Sequence, residues 1–192
     1  MTADASLSGA RTRRWGATAA VVGVATFVAT VVPLHLLQPG YEPVNQLMSE
    51  LALGPYGWAM VFAFSGLALS VFGVQAAIGA FGASRSLRVL LAAAAFFFLA
   101  AGVFPLGATS EIHIAAIATA FVLSVLAMYL YPTNAGSAAD AAPRVLSWSL
   151  AAGIAVCVTL GHSVLPMGIG QRLATVFLLV WLAVLGWRLR HQ

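Results

Sequence analysis

Residues 89–102 read VLLAAAAFFFLAAG, a run with no polar side chain on any face. A strand of a transmembrane barrel alternates apolar and polar residues, and this run does not alternate. A continuous apolar run is typical of a membrane-spanning helix, because a helix satisfies its backbone hydrogen bonds internally and the bilayer core offers no water. Residues 89–102 therefore predict a transmembrane helix and exclude a barrel.

Apolar segments of similar length flank this run on both sides, and each is close to the ~20 residues that one bilayer crossing needs. The chain has 192 residues, of which 61% are hydrophobic and 7% are charged. Soluble domains carry about 25% charged residues, so the composition excludes a soluble fold. We predict an all-α, polytopic integral membrane bundle of six transmembrane helices. The predicted spans are 15–37, 57–81, 89–108, 113–131, 145–165 and 173–189.

The domain organisation follows from these spans. Residues 15–189 form the six-helix transmembrane domain, preceded by a cytoplasmic N-terminal tail, 1–14, and followed by a cytoplasmic C-terminus, 190–192. Cys157 is the only cysteine and lies inside an apolar run, so an intrachain disulfide is excluded and a packing role is expected.

The basic residues predict the orientation. The sequence has nine arginines and no lysine; eight arginines fall on one side of the six spans, and Arg172 alone falls on the other. The positive-inside rule then places both termini in the cytoplasm. The alanine-rich, lysine-free composition indicates a high-GC bacterial source and thus a bacterial plasma membrane. Because the arginines form no dense stripe with interleaved aromatics, we expect membrane lipids rather than nucleic acid as partners.

The longest segment between spans, on the predicted outer side, has its own pattern. Pro43 suits a first helical position, and Gly54-Pro55 is a stop signal. The apolar residues between them follow a helical period, which predicts a short amphipathic helix over about 43–53 on the outer membrane face. These residues are Val44, Leu47, Met48 and Leu51.

Most of the remaining ionisable groups lie toward the same outer side, at the ends of several helices, which predicts an outer-leaflet-facing polar pocket. Glu50, Glu111 and His113 are the candidate catalytic residues, because two carboxylates in different environments can divide acid and base roles. An Arg172–Glu salt bridge that closes the bundle is the structural alternative. The candidate ligand-binding residues are Asn45, Ser49, His162 and Arg172, with His35 and Glu42 nearby in sequence.

Metal and cofactor chemistry have little support in the pattern. Glu111-x-His113 with His162 and His35 has the chemistry to bind zinc or iron, yet no recognised spacing such as His-Glu-x-x-His occurs. No metal site is therefore assigned, and the cofactor is left undetermined. The sequence also lacks a nucleotide-binding loop and a Gly-x-Ser-x-Gly nucleophile motif.

The outer segment, YEPVNQLMSEL at 41–51 followed by GPYGW at 54–58, resembles a bacterial membrane-protein family known as domain of unknown function 998. The Glu111-Ile112-His113 joint and residues 170–173 are similar to that family too, so the resemblance covers about residues 15–188. It implies a six-helix integral membrane protein and brings no established reaction. It also implies that Ser49, Glu50, His113 and Arg172 occupy motif positions.

Three functions stay open at this point. The first is a protein that binds or acts on a lipid or isoprenoid-like amphiphile, by carboxylate acid/base chemistry if it is an enzyme. The second is a small proton-coupled transporter, although no charged residue lies halfway through a span. The third is a structural or accessory membrane subunit.

Overall fold

The structure is a computed structural model that describes the backbone of residues 2–161 and 163–192 and the side chains of residues 8–161 and 163–192. It confirms the predicted all-α polytopic bundle; the described residues contain no strand. Six α-helices follow one another along the chain: α1 (Thr2–Leu37), α2 (Met60–Gly79), α3 (Arg85–Val103), α4 (Ser110–Asn134), α5 (Arg144–Leu160) and α6 (Met167–His191). Three short 3-10 helices connect them: Met48–Leu53, Gly57–Ala59 and Gly136–Ala141.

Five of the described helices are long and apolar enough to cross a membrane, and α5 is an apolar helix of 17 residues. At 1.5 Å per residue, α5 is about 25 Å long, slightly less than the ~30 Å hydrocarbon core of a typical bilayer. The protein is therefore a membrane protein of five candidate spans and one shorter helix.

The helices pack in chain order around a ring that α6 closes by returning to α1, and α2 also contacts α6. Helix α2 packs extensively against both α1 and α3, and its span is the most buried of the five. The contact between α1 and α2 is the most extensive in the bundle. The centre of the bundle therefore lies beside α2.

Glycines bring α1 and α2 into backbone contact. A Cβ added to Gly23 would lie 2.4 Å from the carbonyl oxygen of Gly66. One added to Gly16 would lie 2.6 Å from the carbonyl oxygen of Gly73. Ser70 Oγ uses this proximity to donate a buried hydrogen bond of 2.8 Å to the Ala20 carbonyl. Small residues at both of these contact points permit α1 and α2 to approach closely. Membrane helices associate through such close packing, because lipid gives them no hydrophobic attraction for one another.

The two ends of α1 and α6 that lie toward the chain termini share one end of the bundle. Gly186 of α6 packs against Ala17 and Ala20 of α1, which places the end of the chain beside its beginning. We call this end, with Arg14, the terminal face and the other end, with Arg172, the opposite face. That the terminal face lies in the cytoplasm stays a prediction.

The N-terminal segment differs from the expectation of a tail over residues 1–14. Helix α1 begins at Thr2 and continues without interruption to Leu37. Residues 2–14 contain no proline and only one glycine, Gly9. The segment therefore lacks a residue that would stop the transmembrane helix from extending toward the N-terminus.

The amphipathic α-helix predicted over 43–53 is wrong in type and extent. Only Met48–Leu53 is helical, in 3-10 form, and Val44 is exposed. A side chain takes a backbone group that a helix would use, because Glu50 Oε1 accepts from the Leu47 amide at 2.8 Å, whereas a helix over 43–53 would pair that amide with the Pro43 carbonyl. Such local side-chain bonds compete with helix formation. Met48 and Leu51 are nevertheless buried, as the apolar pattern predicted.

Candidate functional site

The Arg172 guanidinium joins three parts of the opposite face. Its Nη1 donates to the Gln46 carbonyl at 2.9 Å and to the Gly168 carbonyl at 2.8 Å. Its Nε and Nη2 lie 3.2 and 3.0 Å from His35 Nε2, and Nη2 also donates to the Tyr41 hydroxyl. Arginine has five N–H donors, so this set uses all of them. We call Arg172, His35, Tyr41 and the Gln46 carbonyl the clasp.

All the described partners of Arg172 are neutral, in contrast to the expected Arg172–Glu salt bridge. Among the side chains at 8–161 and 163–192, no carboxylate lies in hydrogen-bond contact with this guanidinium. Carbonyl, phenol and imidazole acceptors fill the donor fork instead. A guanidinium whose five donors are used inside the protein has none left for a ligand headgroup, which gives Arg172 a bracing role in this structure.

The hydrogen bonds assign the tautomer of His35. Its Nδ1 lies 2.7 Å from the carbonyl oxygen of Val31, which can only accept, so Nδ1 carries the hydrogen. Nε2 is then the acceptor for Arg172. The clasp therefore requires neutral His35, because a second hydrogen on Nε2 would point at a guanidinium that can only donate.

Glu50 stabilises the turn that leads into the short 3-10 helix. Its Oε1 accepts from the Leu47 amide at 2.8 Å, and its Oε2 accepts from Gln46 Nε2 at 3.3 Å. A carboxylate three residues inside a helix start often caps a free amide in this way. Both carboxylate oxygens are thus engaged within the 46–50 turn.

The start of α6 fastens the 3-10 helix Met48–Leu53, which we call the roof segment. Gln171 Oε1 accepts from the Met48 amide at 2.5 Å. Gly168 lies so close to the chain before the roof segment that an added Cβ would be 2.4 Å from the Pro43 carbonyl oxygen. Only glycine allows this approach, so the sequence at the start of α6 decides where the roof segment sits.

A cavity of about 20 Å³ lies beneath the roof segment, between α1, α2, α4 and α6. This is room for about one water molecule. Its polar lining is Ser49, Gln171 and Thr175, and its apolar lining comes from the roof segment, α1, α2 and α4. The Ser49 side chain is only 4% exposed and has no described hydrogen-bond partner among residues 8–161 and 163–192. The hydroxyl of Ser49 is therefore free to form a hydrogen bond with a molecule in the cavity.

His113 is fully buried beside this cavity and completes the end of α3. Its Nδ1 lies 2.8 Å from the Ala101 carbonyl and 3.0 Å from the Phe104 carbonyl, so Nδ1 donates to both. The last carbonyls of a helix have no partner within that helix, and His113 supplies one from α4. Its Nε2 is buried without a partner, and its ring packs edge-on against Phe64, which lines the cavity.

The predicted site residues thus divide into groups. The roof segment contains Ser49 and Glu50, and Arg172 bonds the Gln46 carbonyl just before it. His113 lies across the cavity, behind Phe64. Glu111 is exposed on the first turn of α4, Asn45 is exposed in the turn before the roof segment, and neither contacts the clasp. His162 lies outside the described residues. The catalytic and ligand-binding roles of all these residues stay predictions.

Sequence reasoning missed the clasp because its acceptors are not charged. A tyrosine near the end of a span is common at any membrane interface, and the Gln46 and Gly168 carbonyls belong to the backbone. The signal present in the sequence was Arg172, the one arginine on its side of the predicted spans, which marks a site that needs acceptors. Within the described part of the chain, no three His, Cys, Asp or Glu side chains are grouped to hold a metal ion.

Burial of the Tyr41 phenol raises its pKa above the ordinary 10.0; Arg172, which favours the phenolate, opposes this shift without cancelling it. The folded state therefore holds the phenol proton more tightly than the unfolded chain. The resulting stability is complete below pH 10 and is lost as the pH rises through the folded-state pKa. We expect Tyr41→Phe to remove part of the alkaline loss of stability, and to cost about 1–2 kcal/mol at neutral pH through the lost hydroxyl contacts.

Thermal unfolding in detergent between pH 8 and pH 11 measures this effect. The absence of lysine helps, because few other groups titrate there. Tyr129→Phe is the control, since the Tyr129 side chain is 60% exposed. An unchanged alkaline slope in Tyr41→Phe would show that the clasp phenol does not contribute to it.

Comparison with known proteins supplies a family. No curated protein matched the chain, and no solved structure matched it. A family model described as "Protein of unknown function (DUF998)" matches residues 21–188. This range includes the clasp, the roof segment and all of the described cavity lining. Since the match covers most of the chain and the fold is a helical membrane bundle, the protein belongs to the DUF998 family.

Proposed function

We propose that the protein binds a neutral amphiphile from the membrane, with the ligand's hydroxyl or carbonyl group under the roof segment. One observation carries the proposal: Ser49 is a largely buried residue whose hydroxyl has no described hydrogen-bond partner, and it lines a cavity that is otherwise mostly apolar. Binding pockets for small molecules combine mainly apolar walls with a few polar groups that fix orientation. The cavity under the roof segment has this composition.

The polar groups at the cavity suit a neutral ligand atom. Ser49 Oγ can donate or accept. Gln171 Oε1 is engaged by the Met48 amide, while no described hydrogen bond uses its Nε2. Three phenylalanines of the lining, Phe27, Phe64 and Phe121, offer apolar contact to the body of a ligand. No charged side chain lines this cavity in the described part of the chain, so a neutral headgroup is favoured over an anionic one.

The cavity must expand to admit more than a water-sized group. Met48 and Met60 line it, and methionine side chains adapt to irregular shapes because they are unbranched and flexible. The roof segment contributes Met48, and one hydrogen bond to Gln171 ties that residue's backbone to α6. We infer that movement of the roof segment admits the ligand. In this proposal Glu50 positions the roof segment through the Leu47 amide.

The clasp favours a second candidate, a structural or accessory subunit. All five donors of Arg172 are used inside the protein, and such a brace needs no ligand. In this case the opposite face is a rigid surface for a partner protein. The two candidates differ in whether a small molecule enters the cavity.

Photolabelling with a long-chain alcohol that carries a diazirine beside its hydroxyl distinguishes them. We expect the wild-type protein in lipid nanodiscs to be labelled on peptides that line the cavity. Thr175→Phe fills the cavity and should lower that labelling about tenfold or more, as expected when a fitting site is lost. Val176→Phe is the matched control, because Val176 is the next residue and its side chain is 49% exposed.

A second variant separates binding from folding. Ser49→Ala removes the unpaired hydroxyl without adding volume, and we expect a several-fold loss of labelling with unchanged thermal stability. Equal labelling of wild type, Thr175→Phe and Ser49→Ala would overturn the binding proposal and favour the structural candidate.

A further inference from the structure

A second recess lies at the terminal face, far from the clasp along α1 and α2. It is a groove of about 430 Å³ between the first part of α1, the end of α2 and the start of α3. Thr12, Gln75 and Arg88 provide polar side chains to its walls, and Gly79 lies on its floor. From Gln75 to the end of α2 at Gly79 is about 6 Å along the helix axis, so the groove extends about one turn into the bundle.

The Arg88 guanidinium is held over this groove. A Cβ added to Gly79 would lie 3.4 Å from Arg88 Nε, which shows that the arginine side chain rests against the end of α2. Arg88 is exposed, and no hydrogen bond or ion pair of its guanidinium is described among the side chains at 8–161 and 163–192. Gln75 is half-buried and likewise has no described partner there. The groove thus combines a cation with an amide donor.

A second arginine flanks the same end of α2. The Arg13 guanidinium stacks over the Phe81 ring at 5.5 Å, and its Nε is buried without a hydrogen-bond partner. Gly9, one turn earlier on α1, lines the groove. Arg13 and Arg88 therefore bracket residues 79–81 and make the field at the groove positive.

We propose that this groove binds the phosphate headgroup of an anionic phospholipid. The groove opens at the end of α2, a helix long and apolar enough to cross a membrane, and the phosphates of a bilayer are expected near the ends of such a span. Arginine binds phosphate oxygens through a planar fork of donors, and Gln75 can add one N–H. The acyl chains would then lie along the outer surface of α1 to α3, and the headgroup would fill the groove.

Native mass spectrometry of the full-length protein tests this site, with phosphatidylglycerol and phosphatidylcholine of the same chain length as probes. We expect selective retention of phosphatidylglycerol. Arg88→Gln should lower that retention about tenfold, which is the loss expected for one charged hydrogen-bonding partner. Arg85→Gln is the matched control, because Arg85 is an exposed arginine one turn earlier on α3 that does not line the groove.

Equal losses in Arg88→Gln and Arg85→Gln would overturn the proposal, since they would show only a general effect of surface charge. Gln75→Leu provides an independent arm that keeps the net charge, and an unchanged retention in both Gln75→Leu and Arg88→Gln would also overturn it. Millimolar inorganic phosphate should leave the bound lipid in place. Displacement by phosphate would indicate a site for the free anion rather than for a lipid.

Discussion

Arg172→Met is expected to lower the free energy of unfolding by about 3 kcal/mol or more, because it removes charged hydrogen bonds and leaves their acceptors unpaired. The Gln46 and Gly168 carbonyls and His35 Nε2 would lose their donor. The turn before the roof segment would then lose its link to α1, which runs from the Gln46 carbonyl through Arg172 to His35. Unfolding by sodium dodecyl sulfate in mixed micelles measures the change.

Arg172→Lys should recover only part of this loss. A lysine ammonium keeps the charge but has three donors and no planar fork, so it cannot reach all of the acceptors at once. Arg190→Met, which changes charge equally at the exposed end of α6, is the control and should alter stability by less than about 0.5 kcal/mol. If Arg172→Met were as stable as Arg190→Met, the clasp would not brace the opposite face.

Gly23→Ala is expected to cost about 3 kcal/mol, because a single methyl group must enter a backbone contact between α1 and α2. Its Cβ would lie 2.4 Å from the Gly66 carbonyl oxygen and 2.5 Å from the Ser70 amide nitrogen. Both neighbours are backbone atoms that cannot rotate away. The two helices must separate, which also stretches the buried Ser70–Ala20 hydrogen bond. Gly23→Val should cost more.

Gly9→Ala is the matched control in the same helix. An added Cβ there meets no atom within 4 Å, so the variant should be neutral or more stable by up to about 1 kcal/mol, the helix-propensity difference between the two residues. The same detergent unfolding assay compares the two variants. Equal stability of Gly23→Ala and Gly9→Ala would show that the α1–α2 crossing tolerates separation.

The spans were predictable because the membrane imposes a strong local rule. A segment such as 89–102 has only one way to satisfy its backbone in a bilayer, so composition alone identifies a helix there. The apolar pattern also identified Met48 and Leu51 as buried residues. The type of helix around them was not predictable, because side-chain bonds from Glu50 and Gln171 replaced helical backbone bonds.

The site was less predictable, because its partners lie far apart in the chain and several are backbone atoms. Sequence alone indicates that the chain is a helical membrane bundle and that Arg172, the one arginine on its side of the predicted spans, needs acceptors. The packing of the helices, by contrast, determines that those acceptors are His35, Tyr41 and carbonyl groups rather than a glutamate. The physical reason is that helices apolar on all sides carry no periodic signal for their neighbours, so the order of the ring is set by close packing, as at Gly23 and Gly66.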